Sequence, residues 1–209
     1  MTAAEIREHL IELRRLEDQF YRTVLNETDV YMLAIRLVRA IADSLQPVAD
    51  LAALIERYQR TSADDVIPIA EALEAPQVVM LDYQLALGAA FYLRAQEIQE
   101  ANAQAEVLRR LAAARAQGQR WAVVYDHERK RYGKSLFQRL EMRLSDGFSL
   151  YAASELDMEK GLVHALEPMW LDPATGKQRP ETPPPELRQE YATREAMLEA
   201  VEALRRKYP

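Results

Sequence analysis

The sequence predicts an α+β fold: an N-terminal helical bundle ending in a long helix, then a four-stranded antiparallel meander and a C-terminal helix. Three observations predict it. Apolar residues recur at three- and four-residue steps through the first 118 positions, the period of amphipathic helices. Alternation of period two takes over at Trp121. Helical and strand-like stretches are segregated, which argues against a parallel sheet.

Ile6, Leu10, Leu13, Leu16, Phe20 and Val24 form the stripe of a first helix. Asn26 and Thr28 offer side-chain oxygens to start a second, whose apolar positions include Tyr31, Ile35, Val38 and Ile41. Pro47 separates it from a third through Leu51, Leu54 and Tyr58. Ser62 with Asp65 resembles a capping signal, and an alternative start at Asp65 would place Pro68 in a first turn. A long helix is expected from Pro76 or Gln77 to Gly118, about 60 Å if unbroken. Its stretch Ala95–Glu106 is the expected place for exposure or a bend. Gly88, Ala89 and Ala90 would let a neighbouring helix approach closely.

Strands are expected at about 121–126, 136–144, 148–156 and 162–171. A three-residue loop, Ser145–Gly147, would set Leu144 across from Phe148, with Gly147 at a left-handed position. A loop over 157–161 sets Leu156 opposite Leu162. In that register Leu140, Met142 and Leu144 join Leu150, Phe148 and Trp170 on one apolar face. Pro168 removes a ladder donor, so the last strand is expected to be an edge there. Residues 172–185 form a proline-rich linker, and 186–208 a final helix that covers the sheet or packs on the helical domain. The expected division is a helical domain, 1–118, and a meander domain, 119–209.

Composition bounds the function. The chain has 209 residues, 49% hydrophobic and 29% charged, as in globular proteins. It has no cysteine, which excludes disulfides, thiolate nucleophiles and Cys-ligated zinc. The net charge of -6 disfavours attraction to nucleic-acid backbones. The most apolar run, Val78–Leu93, is interrupted by Asp82 and falls short of the about 20 residues that a membrane span needs. A cytoplasmic location without membrane association is expected.

No family of catalytic motifs is complete. His127-Glu128 lacks the second histidine of a zinc helix, because position 131 is Arg. Gly133-Lys134-Ser135 lacks the earlier glycine of a phosphate loop, because position 128 is Glu. No metal site or cofactor is therefore expected. His164 falls opposite Ser154, as a satisfied histidine at a core margin. Two clusters remain. The expected register puts Glu141, Tyr151 and Glu167 in one row on the polar face, with Glu141 and Glu167 roughly 9–10 Å apart at Cα, a spacing compatible with acid and base roles. Arg129, Lys130, Arg131 and Lys134 form a basic loop that could meet an acidic partner or a nucleic-acid backbone, the latter together with Arg139, Arg143 and Tyr151 of the sheet. The leading expectation is a non-catalytic interaction subunit, adaptor or regulator of a cytoplasmic assembly, with a homodimer through the N-terminal helices as one arrangement. A nucleic-acid-associated protein using the 129–134 loop and a small enzyme using Glu141, Tyr151 and Glu167 are the alternatives.

Overall fold

The computed structural model describes residues 1–24, 28–73, 76–183 and 187–208, without the side chains of 24, 28 and 76–82. The expected α+β architecture is present. Five helices come first: α1 (Ala3–Val24), α2 (Thr28–Ser44), α3 (Leu51–Arg60), α4 (Ala63–Ala72) and α5 (Pro76–Ala116). An antiparallel sheet follows, with β1 (Trp121–Arg131), β2 (Lys134–Arg143), β3 (Phe148–Asp157), β4 (Gly161–Trp170) and β5 (Gln189–Tyr191) in sequence order, and α6 (Arg194–Lys207) closes the chain. Among the described residues no helix is long and apolar enough to cross a membrane.

The chain divides into two compact units, Met1–Asn102 and Ala103–Pro209. The boundary falls inside α5, in the Ala95–Glu106 stretch where side chains turn outward, not at residue 118. The reason is packing: Val107, Leu111 and Ala114 belong to a core shared with the sheet.

In the first unit, the stripe of α1 buries Leu13 and Phe20 among Leu37, Ile41, Leu54 and Phe91. Asp50 caps α3, accepting from the Ala52 N–H at 2.8 Å. The Asn26 cap lies outside the described residues, as does the Thr28 side chain. At α4 the first of the two expected starts is realised. Ser62 is the N-cap and its N–H donates to the Asp65 carboxylate at 2.8 Å, so Pro68 sits one turn further in. Gly88 does allow a close approach: a Cβ there would lie 2.8 Å from Leu16 Cβ of α1.

The sheet departs from the expected register at one joint. Between β3 and β4 the pairing is as expected, Phe148 with Trp170 and Leu156 with Leu162. Between β2 and β3 it is shifted by one: Met142 pairs with Ser149 and Leu140 with Tyr151. The connection is four residues, Leu144–Gly147, and not three. Gly147 has φ +86°, and a Cβ there would collide with the Leu171 carbonyl oxygen. A one-residue slip moves every β2 side chain to the other face.

Both faces therefore carry cores. On the front face α6 packs Met197 and Val201 against Trp121, Phe137, Phe148, Leu150, Ala152 and Leu166. On the back face Leu111 and Ala114 of α5 pack against Ala122, Val124, Met142 and Leu171. An irregularity between Val123 and Tyr125 in β1 adds Val124 to that back-face core. The residues expected to open the final helix instead include β5, which pairs with β4 from His164 to Leu166 and stops short of Pro168. Thr193 then caps α6, accepting from the Ala196 N–H at 3.1 Å. Glu186, the expected helix start, lies outside the described residues.

Candidate functional site

The register shift decides where the charged residues go. Tyr151 and Glu167 pair directly on the back face. Glu141 pairs with Leu150 and is buried on the front face at 2% exposure, so the expected Glu141–Tyr151–Glu167 row is not assembled. Glu141 instead lies 2.7 Å from Arg139 Nε and 3.2 Å from Arg205 Nε of α6. Neither Nε–H is aligned for a hydrogen bond, so these are charge contacts without directed donors. A cavity of about 540 Å³ opens beside them, bordered also by Arg120, Trp121 and Arg206.

Arg143 is also absorbed into structure. Its guanidinium donates to both oxygens of Asp146, at 3.0 and 2.6 Å, and lies over the Phe148 ring. That pairing holds the Asp146 carboxyl below its usual range, helped by the Phe148 N–H. Arg139 and Arg143 are thus on the front face, one in an ion cluster and one pinning the β2–β3 connection.

The expected basic loop is not a loop. β1 and β2 continue as a two-stranded ribbon to Arg131 and Lys134, joined by Tyr132-Gly133. Strand alternation sorts its charges. Asp126 and Glu128 pair with Arg139 and Phe137 on the front side. There Arg194 of α6 reaches Glu128 at 2.9 Å and covers the Phe137 ring at 4.0 Å. That ion pair lowers the Glu128 pKa, with the Ser135 hydroxyl assisting. His127, Arg129 and Arg131 fall on the back side with Lys134 and Leu136. Lys130 pairs with Ser135 and so leaves this strip for the front.

The back face of the ribbon continues into sheet beyond the residues on which Leu111 and Ala114 pack. A polar chain crosses it. The Tyr125 hydroxyl donates to Gln138 at 3.3 Å, Gln138 donates to Glu155, and the Tyr151 hydroxyl donates to Glu155 at 3.2 Å. Burial pushes the Tyr151 hydroxyl up to about 12, with the Glu155 carboxylate adding to the shift. At neutral pH it is therefore a donor and not a base. Glu167 accepts from Arg188 and Glu190 from Lys160 at 2.9 Å, so the acids at this end are largely compensated. Two concavities, about 240 and 150 Å³, border the chain of Tyr151, Glu155 and Gln138. At the ribbon tip, Tyr132 has φ +50° and is 82% exposed. A turn with two left-handed residues prefers Asn or Gly there, and an aromatic side chain is an outlier.

His164 is satisfied as expected, 2.7 Å from the Ser154 hydroxyl. Sequence reasoning missed Arg205 and Arg206, which the docking of α6 brings beside Glu141, and Arg120, which the pairing of β1 with β2 places at the same cavity. It also missed the charge division between units. Residues 1–102 carry 9 basic and 17 acidic side chains, and residues 103–209 carry 18 and 16. The net charge of -6 is thus the sum of an acidic helical unit and a sheet unit at +2. No protein-family model, curated protein or solved structure matches the chain.

Proposed function

We propose that the protein is a non-catalytic interaction subunit that docks an acidic partner protein on the back face of its sheet. The observation that carries this reading is the sorting of charge on the β1–β2 ribbon. Arg129, Arg131 and Lys134 share one face, while Asp126 and Glu128 occupy the other. Beside those cations lie the partly exposed Tyr125 and Leu156, so apolar contact and charge sit together. The Tyr125–Gln138–Glu155–Tyr151 chain fixes side chains in advance, which lowers the ordering cost of association.

The test is capture from the native host with the full chain, comparing wild type with R129E/R131E/K134E and treating both with nuclease. A defined protein retained by wild type after nuclease treatment and lost from the variant supports the reading. Retention that charge reversal leaves unchanged overturns it. A nucleic-acid-associated protein is the second reading, favoured by Tyr132 at the ribbon tip, where a base could stack between cations. Glu155 on the same face, which has no ion-pair partner among the described residues, opposes a long phosphate backbone. Loss of retention on nuclease treatment, with steep weakening by salt, is the outcome that would favour it.

A further inference from the structure

The front-face cavity beside Glu141 has a composition that points to a ligand. It is an open concavity bordered by Arg120 and Trp121 at the start of β1, Arg139 and Glu141 of β2, and Arg205 and Arg206 of α6. Glu202, also in its wall, pairs with Arg205 at 2.7 Å. Arg139 and Arg205 are thus engaged with carboxylates. Arg120 and Arg206 have no ion-pair partner among the described residues, and both are exposed. Four arginines against two glutamates leave the lining at +2, with the surplus on the two unpaired guanidiniums.

A second observation comes from buried donors. Four buried side-chain donors in the described residues lack a hydrogen-bond partner, and three of them are Trp121 Nε1, Arg139 Nε and Arg205 Nε. All three belong to residues of this one cavity wall. Buried polar groups are ordinarily satisfied. Arg139 Nε and Arg205 Nε are balanced by the Glu141 carboxylate 2.7 and 3.2 Å away, so the Trp121 Nε1–H is the donor that this wall leaves without a partner. The C-terminal carbonyls of α6 oppose an anion here, and Arg205, Arg206 and Lys207 in its last turn offset them.

We propose that this cavity binds the phosphate group of a small phosphomonoester. Such a group carries about -1.5 to -2 at neutral pH, which matches the lining. Guanidinium forks engage phosphate oxygens two at a time, and Arg120 and Arg206 are the free forks. The volume, about 540 Å³, lies within the roughly 300–1,000 Å³ of small-molecule sites and exceeds what a bare ion fills. Trp121 supplies an aromatic wall for the remainder of the ligand. Glu141 acts as a positioning residue, holding Arg139 and Arg205 apart at the cavity wall.

The experiment titrates the full-length chain with inorganic phosphate, glycerol 3-phosphate and malonate at fixed ionic strength. Calorimetry measures binding, and a W170F background leaves Trp121 as the only tryptophan reporter. Saturable binding of glycerol 3-phosphate with a change in Trp121 emission is expected. R120Q/R206Q is expected to raise the Kd at least tenfold with the urea midpoint unchanged, because both side chains are exposed. Single R206E provides the same test should the double variant fold poorly. R129Q/R131Q/K134Q, on the other face, should bind like wild type. Tighter binding of the ester than of inorganic phosphate identifies an ester ligand, and equal binding identifies phosphate itself as the recognised unit. Equal affinity in R120Q/R206Q and wild type, malonate binding as tightly as phosphate, or no saturable signal would each overturn the proposal. Since these outcomes do not involve the back face, they stand apart from the partner-docking reading.

Discussion

Replacing Glu141 with Gln tests both the front-face ion cluster and the register that creates it. The substitution removes one negative charge and keeps the side-chain shape. The carboxylate is 2% exposed and within 2.7 and 3.2 Å of two guanidinium nitrogens. Removing one partner from a buried ion pair costs about 3–5 kcal/mol, because the remaining charge is left uncompensated. Two features reduce that figure here. Arg139 and Arg205 each keep 32% of their side-chain surface, so water screens what is left behind. The Nε–H groups are also misaligned, so little directed hydrogen bonding is lost. The expected loss is about 2–3 kcal/mol.

Urea unfolding followed by tryptophan fluorescence is the assay. The chain has 2 tryptophans, Trp121 and Trp170, both in the sheet unit, so the signal reports that unit alone. With a slope of about 1–3 kcal/mol per molar, the midpoint should fall by about 0.7–3 M. Under the alternative pairing, Leu144 across from Phe148, Glu141 would share the back face with Tyr151. There the same change would stay within about 0.5 kcal/mol. A shift that small would refute the β2–β3 register and the buried cluster together. The companion variant E141L/R139M/R205M, which removes all three charges, should match wild type or exceed it by about 1–4 kcal/mol.

Asp146 gives a pH dependence. Its carboxyl is held low by Arg143, so its stabilisation is present above the ordinary carboxylate pKa and is lost as pH falls through the lowered one. The side chain is 39% exposed, so the contribution is discounted to about 1 kcal/mol. Urea midpoints should decline below about pH 4, and D146N should lower the midpoint at pH 7 while flattening that decline; an unchanged midpoint at pH 7 would contradict the pairing. Gly88→Val should destabilise the helical unit by about 1–3 kcal/mol through the clash with Leu16, read as a drop in the helical circular-dichroism melt. Tyr132→Asn should stabilise the sheet unit by up to about 1 kcal/mol, since Asn accepts the left-handed turn position. A loss of stability there would show that the exposed ring packs on something.

The helices were legible because their apolar stripes have one answer: Leu13 and Phe20 can only be core if the α1 period is 3.6. The β3–β4 pairing was legible for a similar reason, since Leu150, Ala152 and Leu166 agree with the turn ending at Gly161. The phase of β2 was not. Leu136 and Phe137 are adjacent apolar residues, and the strand has buried residues on both sides, Phe137 and Glu141 in front, Leu136 and Met142 behind. Alternation fixes a face only when one side is wet, and here each side has its own helix. What decided the phase was the connection: Asp146 bonded to Arg143 and to the Phe148 N–H, with Gly147 against Leu171. β5 escaped notice because three residues, Gln189–Tyr191, are too short to show a period.

That phase is also what separates the two candidate sites. With β2 one step over, Arg139 and Arg143 would have joined Tyr151 and Glu167 on the back face, and acids and bases would have mixed across it. In the structure Arg139 and Glu141 turn to the front, where α6 brings Arg205 and Arg206. The back face is left with the ribbon cations at one end and already-paired acids at the other. Net charge alone weighed against an anionic partner, yet the charge at a surface is set by strand alternation and helix docking. A sheet unit at +2, with free arginines at separate places on opposite faces, is suited to acidic ligands even within a chain at -6. The two sites differ in what they can recognise. The cavity, walled by Trp121 and a buried ion cluster, suits a small anion held by directed forks. The ribbon, exposed to its tip and flanked by Tyr125 and Leu156, suits an extended acidic surface. R120Q/R206Q and R129E/R131E/K134E should therefore fail in different assays, and a variant pair that failed together in both would show that one field, not two sites, attracts the ligand.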